Sequence, residues 1–582
     1  MQNKKCAYAT VLSTDSYLPG TLALFESIKR TKPMINNFVV VVNENIKKET
    51  RDRLQEEGYI VIEKPKIEVP QEIKNKNRIL PYWNNTFDKF NLFDLTDFDK
   101  IVYLDSDIYV RKNIDELFDK PNMSAVIAGK SYPGNESWNE LNSGLMVIEP
   151  QKGLREALIN KMNSMVKRKR ILKNSVSHTK GSFFSKVNLL KSLIVKRFQG
   201  VGDQDVLEEF FNWKDKPELH LDEGYNVFAN YSDYYASKFG NDNLACIHFI
   251  GRNKPWNCLD KRRTEKASNK FQSQCFDEYI QIISNQAENF KAKFSLIIPM
   301  KNAEKYINTA LESIREQEYK DVEICIIDDN SSDSSKTLVQ HYANSHPDLN
   351  IKILETQEGH RGPGGARNIG LNNATGSYIV FLDSDDKMNQ NALNSISKSI
   401  ALNPETDIFT LGYQLTRLDQ NDEPVSNLKL NAGKMQESRF FQIGANTAGS
   451  IWNLCIRKSL FDKDKKVRFK ENCKFEDLPT KVGLFTRTKR KIKSVPHITH
   501  TQFSRPGSSI TGTLKLSDMR RLIDANLEIA NLRPDVDLRD KMYINVRMVM
   551  MPVVLGWLVQ KCIHNKIDLA RMNRQEQYEP EI

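Results

Sequence analysis

The chain has 582 residues, 39% hydrophobic and 27% charged, with a formal charge of +11 at neutral pH. A single core stops growing near roughly 250 to 300 residues, so this length calls for two principal domains, and the composition excludes wholesale disorder. The positive excess is local: between Gln151 and Gly200 a dense run of Lys and Arg meets the single acid Glu156, and no helix-turn-helix, zinc-finger or RNA-binding pattern accompanies it, which argues against a nucleic-acid partner.

The eight cysteines, at 6, 246, 258, 275, 325, 455, 473 and 562, form no CxxC pair. That pattern suits reduced thiols in a cytosol rather than a disulfide framework or a zinc site. The N-terminus, "MQNKKCAYATVLS", runs straight into a strand pattern without the look of a signal peptide, so an unexported protein is expected.

In chain order, "CAYATVLS" (Cys6 to Ser13) predicts a strand, "TLALFESIKR" a helix and "NFVVVVN" (Asn37 to Asn43) a second strand, together a βαβ unit. "IVYLDSDIYV" (Ile101 to Val110) then ends an apolar run in two carboxylates one serine apart. A divalent cation prefers hard oxygen ligands and often holds substrate phosphates with only one or two carboxylates. The same tripeptide also serves as a turn or helix cap, and the pattern alone leaves both readings open. The basic segment that follows mixes cations with Phe, Leu, Ile and Val. This suits an anionic membrane surface, at up to about 1 kcal/mol per cation, with a solvated insertion as the alternative.

Between Leu259 and Lys293 the chain is charged and carries "FDEYIQIISNQAENF", which predicts a helical linker. The strand–helix–strand order then restarts with "FSLIIPMKN" (Phe294 to Asn302), "AEKYINTALESIRE" and "VEICIIDDNSSD" (Val322 to Asp333), and "IVFLDSDDKM" (Ile379 to Met388) repeats the strand that ends in Asp-Ser-Asp. Unbroken apolar strands alternating with amphipathic helices predict an α/β fold with mostly parallel sheets, whose ligands gather at the carboxyl ends of strands. After about Lys515 the pattern is helical. The run "VMMPVVLGWLV" (Val549 to Val559) is about half the roughly 20 residues that cross a bilayer and predicts a buried helix.

Taken with "TVLSTDSYLPGTLALFESI", the segments "NSGLMVIEP" (Asn142 to Pro150), "GDQDVLEEFF" (Gly202 to Phe211) and "HFIGRNKPW" (His248 to Trp256) surround the first Asp-Ser-Asp in an order that resembles glycosyltransferase family 8, the glycogenin-like group, over about Lys5 to Trp256. The resemblance implies a GT-A fold, a UDP-sugar donor, Mn²⁺ and transfer with retention. Carried over by position, Val11, Ser13 and Tyr17 would line the uridine and Lys89 would sit near the donor. Asp105, Asp107 and His248 would bind the metal, with Gly251 and Lys254 at the diphosphate. Asn142, Ser143, Asp203 and Gln204 would surround the transferred sugar. Ser13 and Thr14 replace residues that vary in the group, and no acceptor tyrosine for self-glucosylation can be assigned.

"IIPMKNAEKYINTALESI", "CIIDDNSSDSS", "GGARNIGLNNATGSYIVFLDSDD" and "FEDLPTKVGLF" (Phe475 to Phe485) resemble glycosyltransferase family 2 over about Phe294 to Gly512. This implies a second GT-A domain, a second nucleotide-sugar and inversion. By position, Pro299 and Asn302 would border the nucleotide, Asp329 would accept from the uracil and Arg367 would face the donor. Asp383 would touch ribose or metal, and Asp385 would be the main metal ligand. Asp477, beside Glu476, would be the base, although such acid pairs also open solvated helices. Asp386 reads as a helix cap, "GHRGPGGARN" as a flexible loop over the donor, Trp452 as an acceptor stacker or core residue, and His497 and His500 as part of a late loop.

The expected organisation is a family 8-like domain over 1–258 with the basic insertion at about 151–200, a linker over 259–293, a family 2-like domain over 294–515 and a helical extension over 516–582. The expected function is bifunctional sugar transfer, dependent on Mn²⁺ or Mg²⁺, onto a growing, lipid-linked or protein-linked glycan acceptor in bacterial surface polysaccharide or glycoconjugate synthesis, in the cytoplasm or at the inner membrane face. The alternatives are transfer onto an adhesin, or one working domain beside one binding module.

Overall fold

The computed structural model describes residues 4–76, 81–178, 201–251, 254–257, 270–357, 362–432, 450–462, 467–472, 475–488, 492–506, 516–532, 540, 542–545 and 547–548. The predicted apolar run Val549 to Val559, the basic segment from 179 onward and residues 507–512 of the late loop lie outside them. The chain divides into two compact units, Met1–Ala287 and Glu288–Ile582.

The strands of the first unit are β1 (Cys6–Leu12), β2 (Phe38–Val42), β3 (Ile60–Glu63), β4 (Lys100–Leu104), β5 (Ile108–Val110), β6 (Ala125–Val126), β7 (Asn142–Ile148), β8 (His220–Leu221), β9 (Val227–Phe228) and β10 (Cys246–His248). Seven form a sheet in the order β3-β2-β1-β4-β7-β6-β8, and β5-β10-β9 form a small second sheet. The run β3-β2-β1-β4 is parallel, and β7 joins β4 antiparallel. Alternation along β1 shows why the apolar run is unbroken: Ala7 and Ala9 enter one core cluster, Cys6, Tyr8 and Leu12 the other. Both faces are covered, so both sets of side chains must be apolar.

The basic insertion opens as a helix, Leu154–His178. Leu158, Met162, Met165 and Val166 bury one face of it, while Lys161 and Arg168 on the other pair with Glu209. Most of the stretch expected as a linker is the helix Lys270–Asn289, which packs on the first unit. Tyr279 is fully buried, stacks on Phe249 at 5.1 Å and donates its hydroxyl to the carbonyl of Ser106 at 3.3 Å.

The second unit repeats the plan with β11 (Phe294–Met300), β12 (Val322–Asp328), β13 (Asn350–Glu355), β14 (Tyr378–Phe381), β15 (Lys387–Met388), β16 (Ile408–Leu418), β17 (Pro424–Leu430), β18 (Leu454–Arg457) and β19 (Lys493–Ser504). The order is β13-β12-β11-β14-β18-β16-β19-β15, with β17 on β16, and β13-β12-β11-β14 are parallel. The helix after β11 begins at Ile307 rather than Ala303, because residues 303–306 form a turn closed by Tyr306 N–H to the Ala303 carbonyl at 2.9 Å. Among the described residues five cysteines, 6, 246, 275, 325 and 455, are free and buried, and no helix is long and apolar enough to cross a membrane.

Candidate active sites

At the carboxyl end of β4, Ser106 turns into the core. Its hydroxyl accepts from Thr21 Oγ1 at 3.0 Å and lies 3.1 Å from Thr10 Oγ1. Asp105 and Asp107 on either side converge with His248, so that one ligand atom of each lies within 4.8 Å of the others. His248 Nε2 is 3.2 Å from Asp107 and 3.8 Å from Asp105. β10 delivers the imidazole by pairing antiparallel with β5, His248 opposite Ile108. Gly144 makes room for it, since a Cβ there would stand 2.6 Å from His248 Cε1.

Asn226, which the sequence did not single out, fixes the ring. Its Nδ2 donates to Asn142 Oδ1 at 2.8 Å, leaving Oδ1 to accept from His248 Nδ1 at 3.0 Å. With Nδ1–H committed to Asn226, Nε2 is the ring atom that faces the two carboxylates, the orientation a metal ligand requires.

Two buried ammonium groups flank the acids. Lys254 bonds Asp107 and the Phe249 carbonyl. Lys89 lies 3.0 Å from Asp105, donates to Ser143 Oγ at 3.0 Å and is 3.6 Å from Asp203. Burial opposes the charge on Asp107, but His248 and Lys254 outweigh it and hold the carboxyl well below its usual range. Burial likewise works against the Lys89 ammonium, and Asp105 and Asp203 overcome it. Three carboxylates thus converge with an imidazole between two ammonium groups, a set of hard oxygen donors and one ring nitrogen that fits a divalent cation. Tyr103, also not singled out, donates its hydroxyl to Asp105.

Ser143 links the remaining residues, donating its hydroxyl to Asp203 at 2.6 Å and its N–H to Gln204 Oε1 at 3.1 Å. Asp203 opens the helix Asp203–Phe211, where the helix dipole favours a carboxylate. Val11 and Ser13 stand at the carboxyl end of β1, one strand over from Asp105. Ser13 donates to Asp88 at 2.7 Å, a buried acid that also accepts from Asn43 and the Ile67 N–H. Tyr17 meets Trp256 edge-on at 5.5 Å and lies under Lys254 at 5.8 Å. Gly251 is exposed at φ +97°.

In the second unit the organising group is Arg367, on the helix Gly362–Asn373. Its guanidinium donates to Glu476 and Asp477 at 2.7 Å each and to Asp383 at 3.1 Å. Asp477 begins the helix Asp477–Arg487 and accepts from the Ile451 N–H at 3.2 Å. Burial pushes its carboxyl up to about 7, with Arg367 opposing and Glu476 and Asp383 adding. Asp385 faces Arg505 at 3.3 Å. Pro299, Asn302 and Asp329 lie at the carboxyl ends of neighbouring strands β11 and β12. Asn302 accepts from the Ser332 N–H at 2.8 Å, and Asp329 accepts from Thr356 at 2.9 Å and the Gly362 N–H at 3.1 Å. Among the described residues only Asp105, Asp107 and His248 form a three-ligand group.

Three expectations change here, and two open alternatives close. Asp386 caps no helix: it is buried before β15 and accepts from the Phe503 N–H at 2.9 Å, and burial with Asp383 and Asp385 nearby raises its carboxyl well above the usual range. The glycine-rich stretch from Gly362 onward is helix, held by Asn368 exchanging hydrogen bonds with the Phe469 backbone at 2.9 Å. Glu476 is buried and Asp477 half-buried, both held by Arg367, so the pair does not open a solvated helix. His497 and His500 belong to β19, not to a loop; His500 is buried, and burial lowers it to about 4. Trp452 is a core residue, edge-on to Tyr413 at 4.7 Å.

Residues 9–260 match Glycosyl transferase family 8 and residues 295–463 match Glycosyl transferase family 2. The chain is 29% identical over 262 residues to UDP-glucuronate:xylan alpha-glucuronosyltransferase 1 of Arabidopsis thaliana, covering 44% of this chain and 33% of that protein. It is 28% identical over 232 residues to the minor teichoic acid biosynthesis protein GgaB of Bacillus subtilis (strain 168), covering 39% of this chain and 25% of that protein. A crystal structure of S. aureus TarS 1–349 in complex with UDP-GlcNAc aligns with a TM-score of 0.38 at 22% identity, over 48% of this chain and 77% of that one. The chain thus spans a third or less of these two curated relatives. A family 8 glycosyltransferase domain over residues 9–260 is thus followed along the chain by a family 2 glycosyltransferase domain over residues 295–463.

Proposed function

We propose that the chain is a bifunctional, metal-dependent glycosyltransferase that takes sugars from UDP-sugar donors, with a retaining first site and an inverting second site, in bacterial surface polysaccharide or glycoconjugate synthesis. The observation that carries this reading is the convergence of Asp105, Asp107 and His248 between Lys89 and Lys254. Mn²⁺ or Mg²⁺ held there would supply Lewis-acid neutralisation of the departing diphosphate. Lys254 adds a fixed positive charge at the leaving group, Tyr17 and Ser13 border the base, and Lys89, Ser143, Asp203 and Gln204 hold the sugar. Ligands fixed in advance cost no reorganisation as charge develops.

In the second site Asp477 takes the proton of the acceptor hydroxyl as the new bond forms. A carboxyl pushed up to about 7 by burial is poised for that task. Arg367 clamps it, and Asp383 and Asp385 would hold a divalent cation that neutralises charge on the departing diphosphate. The name of GgaB, which refers to minor teichoic acid biosynthesis, supports a surface-polymer setting, and the cations of the 151–200 segment supply attraction to anionic lipid at the inner membrane face.

The test is UDP release by the full chain from a panel of UDP-sugars. Asp107→Ala should abolish turnover of one donor and Asp385→Ala that of another. Joint loss in either variant, or loss in neither, overturns two independent sites. The two-ligand pair Asp383 and Asp385 favours a second reading, with the family 2 half as an acceptor-binding module; Asp385→Ala altering no donor's turnover would select it.

A further inference from the structure

We propose that Tyr132, Trp138, Tyr231 and Tyr234 form the acceptor platform of the first site, on which a pyranose ring of a saccharide stacks. This rests on the transferase reading of that site.

The loop between β6 and β7 carries Tyr132 and Trp138 and runs into Asn142, the partner of Asn226. Tyr132 stacks on Tyr231 at 3.9 Å and 16°, with Tyr234 edge-on to Tyr132 at 5.4 Å. Tyr231 touches Phe228 at 6.0 Å, and Phe228 touches the His248 ring at 5.9 Å. Aromatic rings therefore lead from the proposed metal ligand through the buried Phe228 to the half-buried tyrosines, and Trp138, on the other side of Gly129 from Tyr231, is 36% exposed.

The loop is built to hold these rings. Gly129 sits at φ +86°, and a Cβ there would come within 2.9 Å of Trp138 and 3.1 Å of Tyr231. Asn135 Nδ2 donates to the Gly129 carbonyl at 3.0 Å. Ser131 Oγ donates to Glu223 at 2.6 Å, and the Tyr235 hydroxyl donates to the same carboxylate. Below lie Val126, Ala128 and Phe228.

Half-exposed tyrosines are amphipathic, an apolar face with a polar end. Sugars are matched to them, with C–H groups on the ring faces and hydroxyls at the rim. Among the described residues no side chain engages the hydroxyls of Tyr132, Tyr231 or Tyr234. The exposed acids Glu136 and Glu140 in the same loop disfavour an anionic lipid surface as the occupant.

Two measurements on the full chain test the platform. The first uses the donor whose turnover Asp107→Ala abolishes, with a panel of methyl glycosides and gluco-, galacto- and N-acetylhexosamine oligosaccharides as acceptors. Trp138→Ala with Tyr132→Ala should raise acceptor KM at least tenfold and leave donor hydrolysis by water within twofold, while Tyr132→Phe keeps acceptor KM within threefold. An unchanged KM, or hydrolysis falling in parallel with transfer, overturns the platform. The second is saturation-transfer NMR from the aromatic protons to the same saccharides without donor, which reads binding even if the first site proves inactive. Signal lost in the double variant supports the platform. Signal that survives it, or no signal from any saccharide in the unaltered chain, overturns it.

Discussion

The same tripeptide, Asp-Ser-Asp, follows β4 and β14, and the two turns are wired differently. In the first, Ser106 is tied to Thr10 and Thr21, and the acids meet an imidazole and two ammonium groups from 16 to 147 residues away. In the second, Ser384 is half-buried, Asp383 shares one arginine with Glu476 and Asp477, and Asp385 faces Arg505. The strand end places two carboxylates in both units. What they can hold is decided by the groups that distant segments bring to them: a third ligand in the first, a buried acid–arginine cluster in the second.

The largest effect expected to separate the two is on Asp477. Asp477→Asn should cut transfer at the second site by about 10² to 10⁴, the contribution of a positioned base, and leave the first donor's initial rate unchanged. Equal losses with both donors would show that the sites are not independent. Next comes Asn226→Leu, which removes the acceptor for His248 Nδ1–H. It should weaken Mn²⁺ binding at the first site by about 10- to 100-fold, read by metal titration, with second-site turnover intact.

The pH profiles should differ in turn. Because the base must be deprotonated and burial keeps its proton up to about pH 7, the second site should lose about tenfold in rate per unit below that pH and level off above it. Asp107, held ionised by His248 and Lys254, gives the first site no such fall between pH 6 and 8. The smallest contrast lies in the serines. Ser106→Ala takes away the acceptor of the buried Thr21 hydroxyl, while Thr10 keeps the Leu104 carbonyl, and should cost about 1 to 2 kcal/mol in urea unfolding, whereas Ser384→Ala should cost about 0.5 kcal/mol or less.

The sheets were legible because strands covered on both faces read as unbroken apolar runs, as in β1, β2, β11 and β12. Boundaries were less so, since the turn at 303–306 is closed by backbone groups that leave no mark in the side-chain pattern. Within the sites, the carboxylates announced themselves by type and spacing. Asn226 did not, because a buried amide in a short irregular segment has no periodicity, and Tyr103 was masked by its place in an apolar strand. Asp386 was misread because its partner, the Phe503 N–H, lies 117 residues on.

The central claim is that the first Asp-Ser-Asp turn, completed by His248, is a divalent-cation site that serves sugar transfer. Electron paramagnetic resonance of Mn²⁺ titrated into the chelator-treated full chain tests it most directly. The account predicts one equivalent bound without nucleotide and a second on adding UDP, with the first lost in Asp107→Ala and the second in Asp385→Ala. A first equivalent that survives Asp107→Ala, or no uptake by the unaltered chain, would contradict it.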